Sequence, residues 1–230
     1  MKHLLLLAAA LTISLQAAAG DYVVTSPDGH LSATVNDDAA LSWSIRHDVI
    51  IPYLRMLPGP LDYTPGAMRN ATRHNFFGNN NNPMSQGTRV HQMAMYVIYE
   101  APLQMLADSP TRYIENEECT ALIATVPTIW DETIPLAGEM GEYVAIARRK
   151  GTEWYIAALN NWTPRTITLS LDFLTSPVTI ETFADGINAD REATDYTHSR
   201  RTLQPGDTIT ISLAPGGGWI GRSHTPRPLR

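Results

Sequence analysis

The most prominent acidic pair in the chain is Asp131-Glu132, in the tract Trp130-Asp131-Glu132-Thr133. Hydrolysis of a glycosidic bond commonly uses two carboxyl groups across one bond, about 5–5.5 Å apart for retention and about 6.5–9.5 Å apart for inversion. Neighbouring side chains of an extended segment point in opposite directions, so these two carboxyls are poorly placed to share one bond. We therefore interpret the tract as structural, with Trp130 packed against another element.

Two further polar residues fall where chemistry could take place. His91 lies within an apolar helical pattern, which favours a packing role over metal ligation. Asp108 precedes Ser109-Pro110, so it either lines a site or caps a turn, and the sequence leaves both alternatives open. The sequence contains no HExxH, no GxSxG and no metal-spaced Cys/His set, so the corresponding hydrolase motifs are missing from it.

The charge and cysteine content exclude some functional classes. The 230 residues carry a formal net charge of −6 without a long basic run, which argues against a nucleic-acid partner. The single cysteine, Cys119, has no partner within the chain for a disulfide, and we expect a buried thiol there.

The N-terminus has the pattern of a secretory signal peptide. Lys2 and His3 form a short basic start, Leu4–Leu15 is apolar but too short to span a membrane comfortably, and Ala17–Ala19 supplies small residues for cleavage. We expect cleavage after Ala19 and a periplasmic or secreted protein of a Gram-negative bacterium, with no membrane association after cleavage.

The first half of the chain mixes strand-like and helical patterns. Thr88–Ala101 has apolar residues at helical spacing and a capping Thr or Ser before it, so it is the clearest helix. The other predicted elements are strands over Asp21–Arg46, a strand at Val49–Met56, a Pro/Gly-rich loop at Leu57–Gly66, a buried strand at Leu103–Leu106 and a helix at Glu115–Ala124.

The second half has the alternation of antiparallel strands. Tyr143–Arg149 and Thr152–Leu159 flank Lys150-Gly151, which is a strong hairpin signal. Further strands are predicted at Arg165–Leu174, Val178–Phe183 and Asp207–Leu213. The pattern indicates an antiparallel β-sandwich.

Several segments of the sequence resemble glycoside hydrolase family 97. They are IPYLRMLPGPLDYTPGAM, MSQGTR, LQMLADSP, VPTIWDE, ARRKG and LAPGGG, and the resemblance covers Ile51–Gly218, with a weaker match at Val23–Arg46. It implies an α+β fold that is mainly β, in which an antiparallel C-terminal β-sandwich follows the last two β/α units of a (β/α)8 barrel and a few N-terminal strands.

The resemblance also implies how the chain divides into segments. These are a signal peptide at 1–19, the start of an N-terminal β-sandwich at 20–46, the barrel remnant at 47–125, the C-terminal β-sandwich at 126–221 and a tail at 222–230. A complete (β/α)8 barrel takes about 250 residues. We therefore expect an internal deletion, with the join near Arg46-His47.

The resemblance implies the activity of the family, which is hydrolysis of α-glucosidic bonds in malto-oligosaccharides. The catalytic glutamates and the ligands of a calcium ion precede the segment that matches Ile51, so we carry no catalytic or metal-binding residue onto this chain and expect it to be inactive. The residues carried over as walls of a sugar site are Arg55, Asp62, Tyr63 and Gln86. For Asp62 a turn-forming role is the alternative, and for Gln86 it is a polar position at the entry of a helix.

A second reading treats the chain as a non-catalytic module. The C-terminal β-sandwich would then mediate homo-oligomerisation or contact with carbohydrate. Two barrel units cannot close a sheet, so we also expect Val49–Leu106 to expose apolar surface.

Overall fold

The computed structural model describes residues 21–25, 32–36 and 45–224. The predicted signal peptide at 1–19 therefore lies outside the described residues. The chain divides into two compact units, Met1–Trp43 and Ser44–Arg230. In the first unit, strands β1 (Asp21–Thr25) and β2 (Ser32–Asn36) pair antiparallel. The predicted domain limits at 46/47 and 125/126 stay predictions.

The second unit is built around a six-stranded antiparallel sheet with the order β10-β9-β12-β7-β6-β5. A separate pair, β8 with β11, forms a two-stranded sheet. The strands of these two sheets are β5 (Glu132–Glu139), β6 (Tyr143–Lys150), β7 (Glu153–Asn160), β8 (Arg165–Ser170), β9 (Val178–Asp185), β10 (Tyr196–Leu203), β11 (Thr208–Leu213) and β12 (Gly218–His224). This arrangement confirms the predicted antiparallel β-sandwich and the hairpin at Lys150-Gly151, where Gly151 has φ +59°.

The large sheet buries both of its faces, because successive side chains of a strand point to opposite sides. On strand β7, Ile156 and Ala158 belong to a core shared with β8 and β11, whereas Tyr155, Ala157 and Leu159 belong to a second core. The second core is completed by helix α2. Strand β7 is therefore apolar along nearly its whole length, unlike a strand with one face in water.

Four helices are described: α1 (Ile45–Ile50), α2 (Arg89–Ile98), α3 (Pro110–Glu115) and α4 (Glu117–Ile123). Helix α2 confirms the predicted helix at Thr88–Ala101, with Thr88 as its N-cap. All of its residues from Val90 to Ile98 are buried. The helix lies between the large sheet and the rest of the barrel-like segment, so it has no solvent-facing side.

A remnant of parallel barrel structure joins two segments on either side of α2. Tyr63 and Gln104 form a parallel bridge. The backbone N–H groups of Met105 and Ala107 donate to the carbonyl oxygens of Tyr63 (3.1 Å) and Pro65 (3.1 Å). Two short strands, β3 (Asn70–Ala71) and β4 (Ser85–Gln86), also pair in parallel. Strand, helix and parallel strand in this order are typical of a β/α unit.

Four predictions for the first half differ from the structure. Val49–Met56 is no strand: α1 ends at Ile50, and Tyr53, Leu54 and Met56 donate hydrogen bonds three to five residues back. A short apolar run does not by itself separate a strand from a helical turn. The strand-like pattern assigned as far as Arg46 likewise ends in α1, whose first residue is Ile45.

The other two differences concern the segment after α2. Leu103–Leu106 is no buried strand: it holds a single parallel bridge, and Leu103 and Leu106 are 57% and 54% exposed. This agrees with the expected exposure of apolar surface. The predicted helix at Glu115–Ala124 is divided at Asn116, which separates α3 from α4.

Candidate functional site

The four predicted sugar-site residues differ in their exposure to solvent. Arg55 and Asp62 are exposed, whereas Tyr63 and Gln86 are half-buried. No hydrogen bond links any two of the four in the part of the chain that the structure describes. Their assignment to a sugar site stays a prediction.

Tyr63 is instead part of a buried polar group. Its hydroxyl donates to Asp48 Oδ1 at 3.2 Å, and its ring meets Tyr99 edge-on with centroids 4.7 Å apart. Burial, reinforced by the negative charge of Asp48, raises the pKa of Tyr63. The Tyr99 hydroxyl donates to the backbone oxygen of Asp48 at 2.9 Å. These bonds hold α1 against the helix α2 region.

The acidic pair Asp131-Glu132 has the structural role inferred from its spacing. Asp131 accepts hydrogen bonds from Lys150 Nζ (3.0 Å) and from the backbone N–H of Gly151 (2.7 Å). Glu132 accepts from Arg149 Nε at 3.0 Å. Both carboxylates therefore belong to the end of the β6–β7 hairpin, and Trp130 packs edge-on against Tyr155 at 5.3 Å.

His91 and Asp108 also hold the fold together. His91 is fully buried on α2, with Nδ1 2.8 Å from the carbonyl oxygen of Gly217. Asp108 Oδ2 accepts from the backbone N–H of Met68 (2.9 Å) and of Arg69 (3.3 Å), and Oδ1 accepts from Ser109. Of the two alternatives for Asp108, the structure shows the turn-forming one.

A cleft of about 460 Å³ lies beside the C-terminal ends of the parallel segments that contain Tyr63 and Gln104. Barrel enzymes place their binding residues at this edge. It contains three guanidinium groups and one carboxylate. Its lining residues are Met68, Arg69, Asn82, Arg89, Arg112, Glu115, Asn116 and Thr194. We call it the arginine cleft. Arg112 pairs with Glu115 at 2.9 Å, which leaves an excess of positive charge.

The N-terminus of α2 fixes Arg89 in this cleft. Thr88 Oγ1 accepts from the backbone N–H of His91 at 3.1 Å and donates to Asp185 Oδ1 at 2.7 Å. The backbone N–H of Arg89 donates to the carbonyl oxygen of Ala193 at 2.8 Å. The β-sandwich thus determines where α2 begins, and with it the position of the Arg89 side chain.

Asp185 is the central carboxylate of this junction. Its Oδ2 accepts from the backbone N–H groups of Ala214 (2.9 Å) and Gly218 (3.0 Å). Burial raises the pKa of Asp185 to about 6, although these hydrogen bonds and the one from Thr88 act in the opposite direction. The group joins three parts of the chain rather than facing a substrate.

Sequence reasoning missed the arginine cleft. Its arginines come from three separate segments: Arg69 after one parallel segment, Arg89 at the start of α2 and Arg112 in α3. Arg69 and Arg89 lie in segments that resemble the family, IPYLRMLPGPLDYTPGAMRNA and MSQGTR, but the spacing of the three arginines gives no sequence signal. Guanidinium, amide and hydroxyl groups together suit a ligand with hydroxyls or an oxyanion.

Two kinds of site are missing from the described residues. Within 21–25, 32–36 and 45–224, no three His, Cys, Asp or Glu side chains are grouped to hold a metal ion. None of the described helices is long and apolar enough to cross a membrane. The described Cys119 is free and buried, as predicted.

Residues 129–223 match the family model described as "Glycosyl-hydrolase 97 C-terminal, oligomerisation". The match begins just before β5 and ends in β12, so it coincides with the two sheets described above.

Two curated relatives are retaining α-galactosidases by name. The chain is 43% identical over 192 residues to the "Retaining alpha-galactosidase" of Bacteroides thetaiotaomicron, which covers 80% of this chain and 29% of that protein. It is 24% identical over 196 residues to the "Probable retaining alpha-galactosidase" of Streptomyces bingchenggensis, covering 85% of this chain and 28% of that protein. The chain therefore spans less than a third of the length of these relatives.

A solved structure shows the same fold. It is a glycoside hydrolase family 97 enzyme from Pseudoalteromonas sp. strain K8, in complex with acarbose, with a TM-score of 0.70 and 33% identity. The likeness covers 78% of this chain and 28% of that one.

Proposed function

Since the chain belongs to glycoside hydrolase family 97, with residues 129–223 as its C-terminal domain, we propose that its β-sandwich joins copies of the chain into an oligomer. The observation that carries this proposal is the coincidence of the two buried-core sheets with a domain family described by oligomerisation. A sandwich with its own core keeps its shape while its outer surface contacts another copy.

The edges of the large sheet differ as surfaces for association. The edge strand β10 is mostly exposed and polar: His198 and Arg200 pair with Glu181, and Arg201 adds a further charge, so this edge offers little apolar surface to a second copy. At the other edge, β5 is flanked by Ile129 and Met140, which are 67% and 50% exposed. We therefore place the contact between copies on the β5 side.

Light scattering coupled to size exclusion tests this proposal. The full 230-residue chain has a mass of 25.4 kDa, and we expect the purified chain to run at twice its own monomer mass or more at micromolar concentration. The double variant Ile129→Lys, Met140→Lys is expected to run as a monomer. Ile187→Lys is the matched control, because Ile187 is 95% exposed but lies between β9 and β10. A native chain of monomer mass at all concentrations would contradict assembly.

Catalysis by the family is a separate question for this chain. The first glutamate of the sequence is Glu100, whereas the resemblance places the catalytic glutamates of the family before the segment that matches Ile51. We infer that hydrolysis belongs to longer proteins of the family and that this chain lacks it. For those longer proteins we favour α-galactosides over malto-oligosaccharides, because the relative at 43% identity is a retaining α-galactosidase by name.

Release of 4-nitrophenol from its α-galactoside and its α-glucoside, with and without calcium, checks this inference. No release above the blank is expected for the purified chain. The Bacteroides thetaiotaomicron relative is the positive control and is expected to release 4-nitrophenol from the α-galactoside. Turnover by the chain itself would show that the upstream glutamates are dispensable.

We also propose that the chain is exported and that its signal peptide is removed. The basic start, apolar run and Ala17–Ala19 motif support removal of the first 19 residues. Mass spectrometry of protein from a periplasmic fraction is expected to find Gly20 at the N-terminus. A chain that keeps Met1 in the cytoplasm would contradict it.

A further inference from the structure

We propose that the arginine cleft binds an acidic sugar, a hexuronate whose carboxylate is held by Arg69 and Arg89. The cleft of about 460 Å³ falls within the range of small-molecule sites. The proposal does not depend on oligomerisation or on glycosidase activity.

The positive charge of the cleft is not compensated by the protein. Arg69 forms no side-chain hydrogen bond or ion pair with any described residue, although it is partly buried. The only carboxylate in the lining, Glu115, is occupied by Arg112 in a bond of 2.9 Å. Arg69 is therefore free to bind an anion, and Arg89, although bonded to Met68, is paired with no carboxylate among the described residues.

Arg89 is held in place but only partly bonded. Its Nη2 donates to the carbonyl oxygen of Met68 at 2.5 Å, and its guanidinium carbon lies 5.9 Å from the centroid of the Tyr196 ring. Its buried Nε has no partner among the described residues. A buried donor without an acceptor is unfavourable. A carboxylate in the cleft would supply an acceptor if the Arg89 guanidinium moved toward it. Arginine is well suited to this because its planar group matches a carboxylate.

The remaining lining is suited to hydroxyl groups rather than to an apolar body. Asn82 and Asn116 contribute amides, and Thr194 contributes a hydroxyl from the β-sandwich. Asn116 is oriented by its bond to the carbonyl oxygen of Arg112 at 2.8 Å, which fixes its Nδ2 and leaves Oδ1 to accept from a ligand hydroxyl. Amides and hydroxyls beside two arginines fit a ligand that has one carboxylate and several hydroxyls.

Binding of D-galacturonate to the full chain, measured by calorimetry or ligand-observed NMR at low ionic strength, tests the proposal. We expect D-galacturonate to bind at least about tenfold more tightly than D-galactose, because only the carboxylate can accept charge-assisted hydrogen bonds from the two guanidinium groups. Binding is expected to weaken in about 0.5 M salt, since part of the cleft is open to solvent.

The variant Arg69→Gln removes the charge and keeps a long polar side chain. It is expected to weaken galacturonate binding at least about tenfold without lowering the melting temperature, because Arg69 makes no described side-chain bond. The matched control is Arg73→Gln, which removes an exposed arginine four residues away and is expected to leave binding unchanged.

Four results would overturn the proposal. The first is equal binding of galactose and galacturonate, and the second is an equal loss of binding in the two variants. The third is displacement of galacturonate by inorganic sulfate at equal concentration, which would make the cleft a general oxyanion site. Absence of any galacturonate signal would likewise refute it.

Discussion

His91 on helix α2 donates its Nδ1 hydrogen to the carbonyl oxygen of Gly217, 126 residues further along the chain, at 2.8 Å. A carbonyl oxygen only accepts, so Nδ1 must carry the proton. The other ring nitrogen, Nε2, lies 3.6 Å from Asp48 Oδ2. One side chain of α2 thus connects the start of β12 with the end of α1.

Gly218→Ala tests how closely α2 approaches strand β12. A methyl group at Gly218 would lie 2.6 Å from the Cα of His91 and 2.7 Å from its backbone nitrogen, so helix and strand would have to separate. We expect the free energy of unfolding to fall by about 1–3 kcal/mol, as for other overpacked cores. Gly78→Ala is the control, because nothing lies within 4 Å of its added methyl. Equal urea midpoints for the two variants would contradict the close approach.

Thr88→Ala removes the side-chain cap of α2. The hydroxyl bonds both to the backbone N–H of His91 and to Asp185, so its loss leaves two buried groups with one partner fewer. We expect a loss of about 1–2 kcal/mol in the free energy of unfolding. Thr88→Ser keeps the hydroxyl and is expected to retain most of the stability. The capping role is wrong if Ser and Ala destabilise equally in a chemical unfolding experiment.

Asp185→Asn is expected to change the pH dependence of stability. Burial raises the pKa of Asp185 from an ordinary value near 3.8 to about 6, so the folded protein holds this proton more tightly than the unfolded chain. The contribution of Asp185 is therefore most favourable below about pH 4, falls as the pH rises to about 6 and is then constant.

Asparagine is neutral throughout this range. Relative to the native chain, the stability of Asp185→Asn should therefore improve between about pH 4 and pH 6 and stay level above it. Unfolding midpoints at half-unit pH intervals measure this difference. A constant difference across the range would show that Asp185 titrates normally in the folded protein.

Arg148→Met is expected to stabilise the fold. Arg148 is 4% exposed and gives one hydrogen bond, from Nη2 to the carbonyl oxygen of Ile98 at 3.2 Å, while Nε and Nη1 have no partner among the described residues. Burial lowers the pKa of Arg148 to about 10, which reflects the same unfavourable charge. Methionine replaces the buried charge with an apolar side chain of similar volume, and we expect the free energy of unfolding to rise by about 1 kcal/mol.

The neighbouring Arg149→Met provides the comparison. Arg149 is partly exposed and pairs with Glu132 at the surface, so its loss is expected to change stability by less than about 1 kcal/mol. A destabilised Arg148→Met, with Arg149→Met near the native value, would mean that the bond to Ile98 and the Trp130 ring 5.5 Å away outweigh the buried charge.

The sequence predicted those elements whose local signals agree with their packing. Helix α2 has a cap and helical periodicity, and the β6–β7 hairpin has alternating residues around a glycine with positive φ. Edge strands β5 and β10 were not predicted. Most of their side chains are exposed, so the apolar alternation that identifies a half-buried strand is missing.

The candidate site was less predictable because it depends on contacts between distant segments. The resemblance predicted that Tyr63 lines a sugar site, but its hydroxyl donates a hydrogen bond to Asp48, fifteen residues earlier in the chain. The arginine cleft combines Arg69, Arg89 and Arg112 with Thr194 of the β-sandwich. Each of these residues alone has the pattern of an ordinary surface position.

The bond between His91 and Gly217 has a consequence for synthesis of the protein. Translation proceeds from the N-terminus, so α2 leaves the ribosome long before the strand that completes its surroundings exists. Local helix propensity is weak without such surroundings. Val90–Ile98, buried in the finished protein, must stay accessible to water or to a chaperone until Gly218–His224 has been made. A chain that ends before this strand would therefore keep the apolar surface of α2 exposed and would be prone to aggregate.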